Sequence, residues 1–205
     1  MTIEDAPGIT RRRMLGFLIA GPTLVAAARW GLAPAPAMGA VPTAQLVDHY
    51  DLSDLLTDAA RPTNGLLTVT VNPDGTAAFA LPRAEVGQGL TTAFAMTIAD
   101  EMDLPIEKVN VTLADARPEL VWNQLTGGSN SVHSLYEPVR MAAATARGQL
   151  ALTAARELNV GSSALELKDG VFRAPDGRTR SFADLAEKAA VSRTTAVVPQ
   201  LKAKA

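Results

Sequence analysis

The sequence predicts an α/β domain, a mixed sheet with helices packed on it, and three observations predict it. Residues 66–71 and 76–81 are rich in β-formers and flank the turn Asn72-Pro73-Asp74-Gly75, which reads as a hairpin. The second strand runs through a Gly-rich turn into an amphipathic helix and then another strand, a crossover long enough to join parallel neighbours. From Ser131 a helical pattern holds for more than two dozen residues, with small apolar side chains on one stripe.

Taken in order, residues 1–40 read as a twin-arginine export signal. Arg11, Arg12 and Arg13 precede an apolar run over 14–28 that Gly21-Pro22 interrupts. The run falls short of the roughly 20 residues of a membrane span, and Ala35-Pro36-Ala37 suits a signal peptidase. The competing reading is an uncleaved amphipathic anchor. The implied location is periplasmic or otherwise extracytoplasmic, with membrane association left open. Because this pathway carries folded proteins, the signal also hints at a cofactor inserted before export.

Residues 41–63 read as a lead-in linker in which Asp51 or Ser53 caps one short helical turn before Pro62. The folded module is expected over 64–192 and a tail over 193–205. Within the module, Leu90, Phe94, Ile98 and Met102 recur at every fourth position and face inward, whereas Thr91, Asp100 and Glu101 point elsewhere. Leu104-Pro105 ends that helix, and residues 106–114 form the next strand with Val109, Val111 and Leu113 on one side. The loop 115–130 contains Trp122, which either lines a pocket or packs as a lid over the core. In the long helix, Val132, Leu135, Val139, Ala142, Ala143, Ala146, Leu150 and Ala154 form the buried stripe. Ser131 or Ser134 caps it, Pro138 sits in its first turn or at a kink, and Asn159-Val160-Gly161 closes it. The alanines ask for a close partner surface, so the isolated chain is expected to associate. A short strand at 164–168, turns at Asp169-Gly170 and Asp176-Gly177, and a last helix capped by Ser181 complete the module.

Composition excludes several classes. The formal charge of −2 becomes more negative by two once residues 1–37 leave, since four arginines and two acids go with them. A mildly acidic chain without a basic cluster offers nucleic acid no footprint. With no cysteine, the chain holds neither a disulfide nor a thiolate-bound iron–sulfur cluster. His49 and His133 lack metal-ligand spacing and read as surface or capping residues, so no metal ligand is assigned.

The chemistry-bearing stretch is 82–90, PRAEVGQGL, at a strand-to-helix junction. Glycines there let a ligand approach the backbone, amides at a helix start attract anions, and Gln88 offers both a donor and an acceptor to a flat heterocycle. A turn that uses its glycines only to change direction remains the alternative. A second Gly-rich run, LTGGSNS over 125–131, stands in the same way before the second helix. An ordinary dinucleotide site is disfavoured, because neither a G-x-G-x-x-G run nor the acidic residue about 20 positions on is present.

The succession of DG hairpin, PRAEVGQG, ADEMDLP, KVNVTLA, WNQLTGGSNSV and VRMAAATARGQL resembles the molybdopterin-binding large subunit of the xanthine dehydrogenase and aldehyde oxidase family of molybdenum hydroxylases. Within that family it is most similar to the branch of the isoquinoline 1-oxidoreductase beta subunit, over residues 64–190. The resemblance implies an α/β molybdopterin-binding module and an oxidoreductase that hydroxylates N-heterocycles or aldehydes with water as oxygen source. The implied cofactor is molybdopterin, in its cytosine dinucleotide form. Carried over by position, Gly87, Gln88 and Gly89 would contact the pterin or its neighbouring phosphate. Thr126, Gly127, Gly128 and Ser129 would donate to a phosphate or pterin edge. The family's second module and catalytic glutamate have no counterpart in this chain, so no catalytic residue is assigned and Glu85 is not promoted to base. The chain is expected to be inactive alone. The implied partners are the remainder of the large subunit, an iron–sulfur small subunit and a cytochrome electron acceptor. The alternative is a non-catalytic assembly or binding protein, or a relic that keeps the fold.

Overall fold

The computed structural model describes residues 51–191 and 199–203, together with the backbone of 24–27. Two sheets result. The larger has the order β1 (Leu24–Ala27), β2 (Thr68–Val71), β3 (Ala77–Leu81), β4 (Val109–Leu113). Its β2–β3 pair is the expected hairpin, antiparallel with Val69 opposite Phe79, and β3 runs parallel to β4 with Phe79 opposite Val111. The sheet is therefore mixed. Helix α2 (Leu90–Met102) makes the crossover between the parallel pair. Part of the stretch read as an export signal supplies β1, antiparallel to β2 with Leu24 opposite Val71. The arginine run and the Ala35-Pro36-Ala37 triplet lie outside the described residues.

Burial alternates along β2 and β3, so that Val69, Val71, Ala77, Phe79 and Leu81 turn to one face. Helices α2 and α3 (Ser131–Leu158) cover that face. All four residues of the i, i+4 stripe on α2 are buried, and Phe94 meets Phe79 with ring centroids 6.2 Å apart. Each such side chain contributes about 1.5–3 kcal/mol by leaving water. The stripe on α3 is buried as expected except for Val132, which is exposed. Ala142, Ala143, Ala146 and Ala154 find their close partner within the chain, against α2, β2 and α4 (Phe182–Val191), rather than on another molecule.

Several local expectations change. The stretch expected as a lead-in forms α1 (Leu52–Ala60), two and a half turns rather than one. Asp51 and Asp54 close a capping box at its start, and Leu56 and Ala60 are buried. Neither Ser131 nor Ser134 caps α3: its N-cap is Asn130, whose side chain makes no capping bond. Pro138 lies inside that helix. Along β4 burial fades from Val109 through half-buried Val111 to exposed Leu113, because β4 is the edge strand and its far end passes beside the Gly-rich loop. The opposite end of α2 closes as the sequence suggests, with Asp103 in the left-handed region at φ 54°, and Asn159 does the same for α3 at φ 52°.

The second sheet holds β5 (Glu166–Lys168), β6 (Val171–Arg173) and β7 (Thr179–Ser181), all antiparallel. Asp169 and Gly170, both at positive φ, make the first turn. Ser181 caps α4 as expected, exchanging hydrogen bonds with Asp184. Among the described residues no helix is long and apolar enough to cross a membrane.

Candidate functional site

The loop that follows β3 places a run of unusual backbone conformations at the N-terminus of α2. Gly87 and Gly89 take φ values of 92° and 78°, a region open to glycine at little cost. A Cβ added to either would meet nothing within 4 Å, so their free faces look into open space.

The loop is organised by its own side chains. Glu85 Oε1 accepts from the Gly87 amide at 2.9 Å and the Gly89 amide at 3.0 Å, while Oε2 accepts from the Thr91 amide at 3.1 Å. Gln88 folds back, accepting from Val86 N at 2.6 Å and donating to the Ala84 carbonyl at 2.8 Å. The carboxylate of Glu85 thus sits where an external anion would meet the start of α2. These backbone donors, that of Thr91 foremost, hold its pKa below the ordinary glutamate range.

The second Gly-rich run reaches the first through the Ala84 amide, which donates to Thr126 Oγ1 at 2.9 Å. Gly127, Gly128 and Ser129 follow on the exposed side, and Gly128 and Ser129 are consecutive residues at positive φ. A Cβ on Gly127 would meet nothing within 4 Å, whereas one on Gly128 would press on Leu52 of α1 at 3.2 Å. Gly127 accepts from the Asn130 amide at 3.4 Å, which turns the run into α3. All seven residues singled out in the sequence therefore lie in two loops that touch.

Beneath them lies a group that sequence reasoning missed. Arg83 is 3% exposed, and its Nη1 and Nη2 donate to Asn130 Oδ1 at 3.4 Å and Ser134 Oγ at 2.6 Å. Its Nε and the Asn130 Nδ2 are buried without a partner among the described residues. Burial pulls the guanidinium down to about 10, so it stays charged at neutral pH. The available signal was a lone arginine placed directly after a buried strand and Pro82.

Trp122 is 49% exposed on a single helical turn, Val121–Gln124, so it does not serve as a lid over the core. Its neighbour Asn123 is buried and ties the turn down by donating to the Ala60 carbonyl and Thr63 Oγ1. His133 Nδ1 stands 3.1 Å from Ser53 Oγ, a contact between the second turn-and-helix junction and α1.

The chain matches the family model described as a molybdopterin cofactor-binding domain over residues 29–205. It is 29% identical over 175 residues to the beta subunit of isoquinoline 1-oxidoreductase from Brevundimonas diminuta, covering 82% of this chain and 21% of that protein. It is 34% identical over 122 residues to a nicotinate dehydrogenase subunit of Pseudomonas putida, covering 59% and 10%. Among solved structures it is similar to a reconstituted CO dehydrogenase from Oligotropha carboxidovorans, at 24% identity and a TM-score of 0.50 over 64% of this chain and 16% of that one. That last likeness concerns the fold alone. The chain spans about a tenth to a fifth of the length of the two curated relatives.

Proposed function

The chain belongs to the molybdopterin cofactor-binding domain family, and on that premise we propose that it supplies one wall of the cofactor cradle in a molybdenum hydroxylase. The carrying observation is the Ala84–Thr126 bond, which joins two Gly-rich loops into one exposed, amide-rich surface over a buried arginine. Such a surface fits an anionic, heterocyclic cofactor. The open faces of Gly87, Gly89 and Gly127 admit a flat ring against the backbone, and a positive charge lies beneath.

In this reading Gly87, Gln88 and Gly89 lie against the pterin, and Thr126, Gly127, Gly128 and Ser129 donate to its edge or to a phosphate. Glu85 and Gln88 keep the first loop in shape rather than reacting. When bound, the cofactor supplies the redox centre for hydroxylating an aldehyde or N-heterocycle carbon with water as the oxygen source. The cytosine dinucleotide is the proposed form. The remainder of a large subunit provides the facing wall and the catalytic glutamate, an iron–sulfur subunit and a cytochrome carry electrons away, and Arg11–Arg13 direct export.

The test is to isolate the protein from its native host with everything that copurifies. Oxidised-pterin fluorescence and molybdenum content are then measured on the complex, and the nucleotide released by mild acid is identified. Stoichiometric pterin with cytidine monophosphate is expected. A complex that carries neither pterin nor molybdenum would sink the proposal. Recovery of the complex from the periplasmic fraction tests the export reading.

A further inference from the structure

We propose that Arg83 is a positioning residue that fixes a phosphate or diphosphate group at the N-terminus of α3, through the charge it holds beneath Asn130 and Ser134. The inference rests on the cofactor reading above and adds to it where the anionic part goes and what draws it there.

Two buried arginines in this chain are treated differently. Arg140 forms an ion pair with buried Glu101 at 2.8 Å. Arg83, equally buried, meets among the described residues only the neutral side chains of Asn130 and Ser134, one of them through a long bond, and its Nε is left without a partner. A buried charge without a counter-charge opposes folding, and an apolar side chain of similar size would fill the same space without that penalty.

Its location makes the arrangement less favourable still. Asn130 is the N-cap of a 28-residue helix and Ser134 lies on its first turn. The start of a helix carries partial positive charge and ordinarily attracts anions, not an arginine. Nor does the Asn130 side chain cap it: its Oδ1 faces Arg83 and its Nδ2 has no partner. Two positive features therefore converge on one spot, and both become favourable once an anion is present.

The neighbouring helix shows the contrast. At the start of α2 the Glu85 carboxylate already takes the amides of Gly87, Gly89 and Thr91, so that end has its own anion. The start of α3 has a buried cation instead. Of the two helix ends that meet at the site, only that of α3 is left to an external phosphate, and the glycines of the first loop then face the uncharged ring. The phosphate of a pterin and the diphosphate of its dinucleotide form share this chemistry.

The experiment titrates the 205-residue chain with inorganic phosphate and, separately, inorganic pyrophosphate, following melting temperature and the amide resonances of Gly127, Gly128 and Ser131. The wild type is expected to melt higher with the anion and to shift at those amides. Pyrophosphate binding at least tenfold tighter than phosphate indicates the dinucleotide, and equal binding the simple phosphate. Arg83→Met is expected to weaken the anion at least tenfold while melting no lower than wild type in its absence, and Arg83→Lys is expected to retain part of the binding. A merely structural arginine predicts the reverse, a destabilised Arg83→Met chain whose anion affinity is unchanged, and that result overturns the proposal. Should Arg83→Met not fold, Asn130→Asp decides, because it places a carboxylate beside the guanidinium. It is expected to raise the melting temperature and abolish the anion response, and an undiminished response overturns the proposal. A wild-type chain that responds to neither anion also overturns it. These titrations are read independently of pterin content, so pterin in the native complex with an unaffected Arg83→Met titration removes this inference alone.

Discussion

Glu85 accepts the amide of Gly89 at 3.0 Å, across four residues and at the N-cap of the helix that follows. The carboxylate is an N-terminal cap delivered from inside the loop it shapes, a loop in which Gly87 and Gly89 both take positive φ. Replacing the acid by its amide should loosen this arrangement. Glu85→Gln keeps one acceptor oxygen but turns an NH2 group toward donors, so hydrogen exchange at Gly87, Gly89 and Thr91 is expected to quicken about tenfold. Unchanged protection at all three amides would show that the loop is held by something else.

The same contact carries a pH dependence with a definite sign. Hydrogen bonds from Thr91, Gly89 and Gly87 lower the pKa of Glu85 from the ordinary glutamate value of 4.5. A folded-state value below the unfolded one means that the unfolded chain binds more protons in the acid range. The stabilisation is then complete above about pH 4.5 and is lost as pH falls through the lowered value. Following the Gly89 amide resonance against pH should give a midpoint below 4.5, and a midpoint at or above it contradicts the geometry.

Gly89 and Gly127 separate backbone strain from ligand contact. Neither position is crowded, since an added Cβ meets nothing within 4 Å at either. Only Gly89 has a positive φ, at 78°. Gly89→Ala is therefore expected to lose about 1 kcal/mol in urea unfolding, and Gly127→Ala to change stability by less than about 0.5 kcal/mol. If the proposed cofactor lies against the second loop, Gly127→Ala lowers the pterin retained by the native complex although the domain is as stable as before. Full retention would take Gly127 out of the site.

What the sequence made legible was local. The Asn-Pro-Asp-Gly turn between β2 and β3, the fourfold spacing on α2 and the Asn159 closure of α3 each depend on a few neighbouring residues, and each appears in the structure. The two loops of the candidate site were readable for the same reason. Residues whose surroundings are assembled from far along the chain were not. Thr179–Ser181 forms β7 although Thr-Arg-Ser has no apolar alternation, because it pairs with β6. Glu101 reads as a surface acid beside Asp100, yet the cations that allow its burial lie 39 and 46 residues on, at Arg140 and Arg147. Arg83 escaped for the converse reason, since nothing local shows that its partners among the described residues are the neutral side chains of Asn130 and Ser134.

Glu101 supports the sharpest stability prediction. It is fully buried on α2, and it pairs with Arg140 at 2.8 Å and Arg147 at 3.1 Å while also accepting the backbone amide of Lys202 at 3.0 Å. Arg140 in turn donates to the Lys202 carbonyl at 2.6 Å, and Arg147 donates to the carbonyls of Glu101 and Gln200. One acid therefore joins two helices to the segment at 199–203. Glu101→Ala strands a buried guanidinium and is expected to lose about 3–5 kcal/mol, with faster exchange at the Lys202 amide. Removing both charges is a different perturbation. With Arg140→Met beside Glu101→Leu, no unpaired charge remains buried in that pair, and the half-buried Arg147 can turn to solvent. The double variant should recover at least half of the loss seen in the Glu101→Leu single variant, a coupling visible in the cycle of Glu101→Leu, Arg140→Met and the pair. Strict additivity would mean that Arg140 and Glu101 contribute through packing alone.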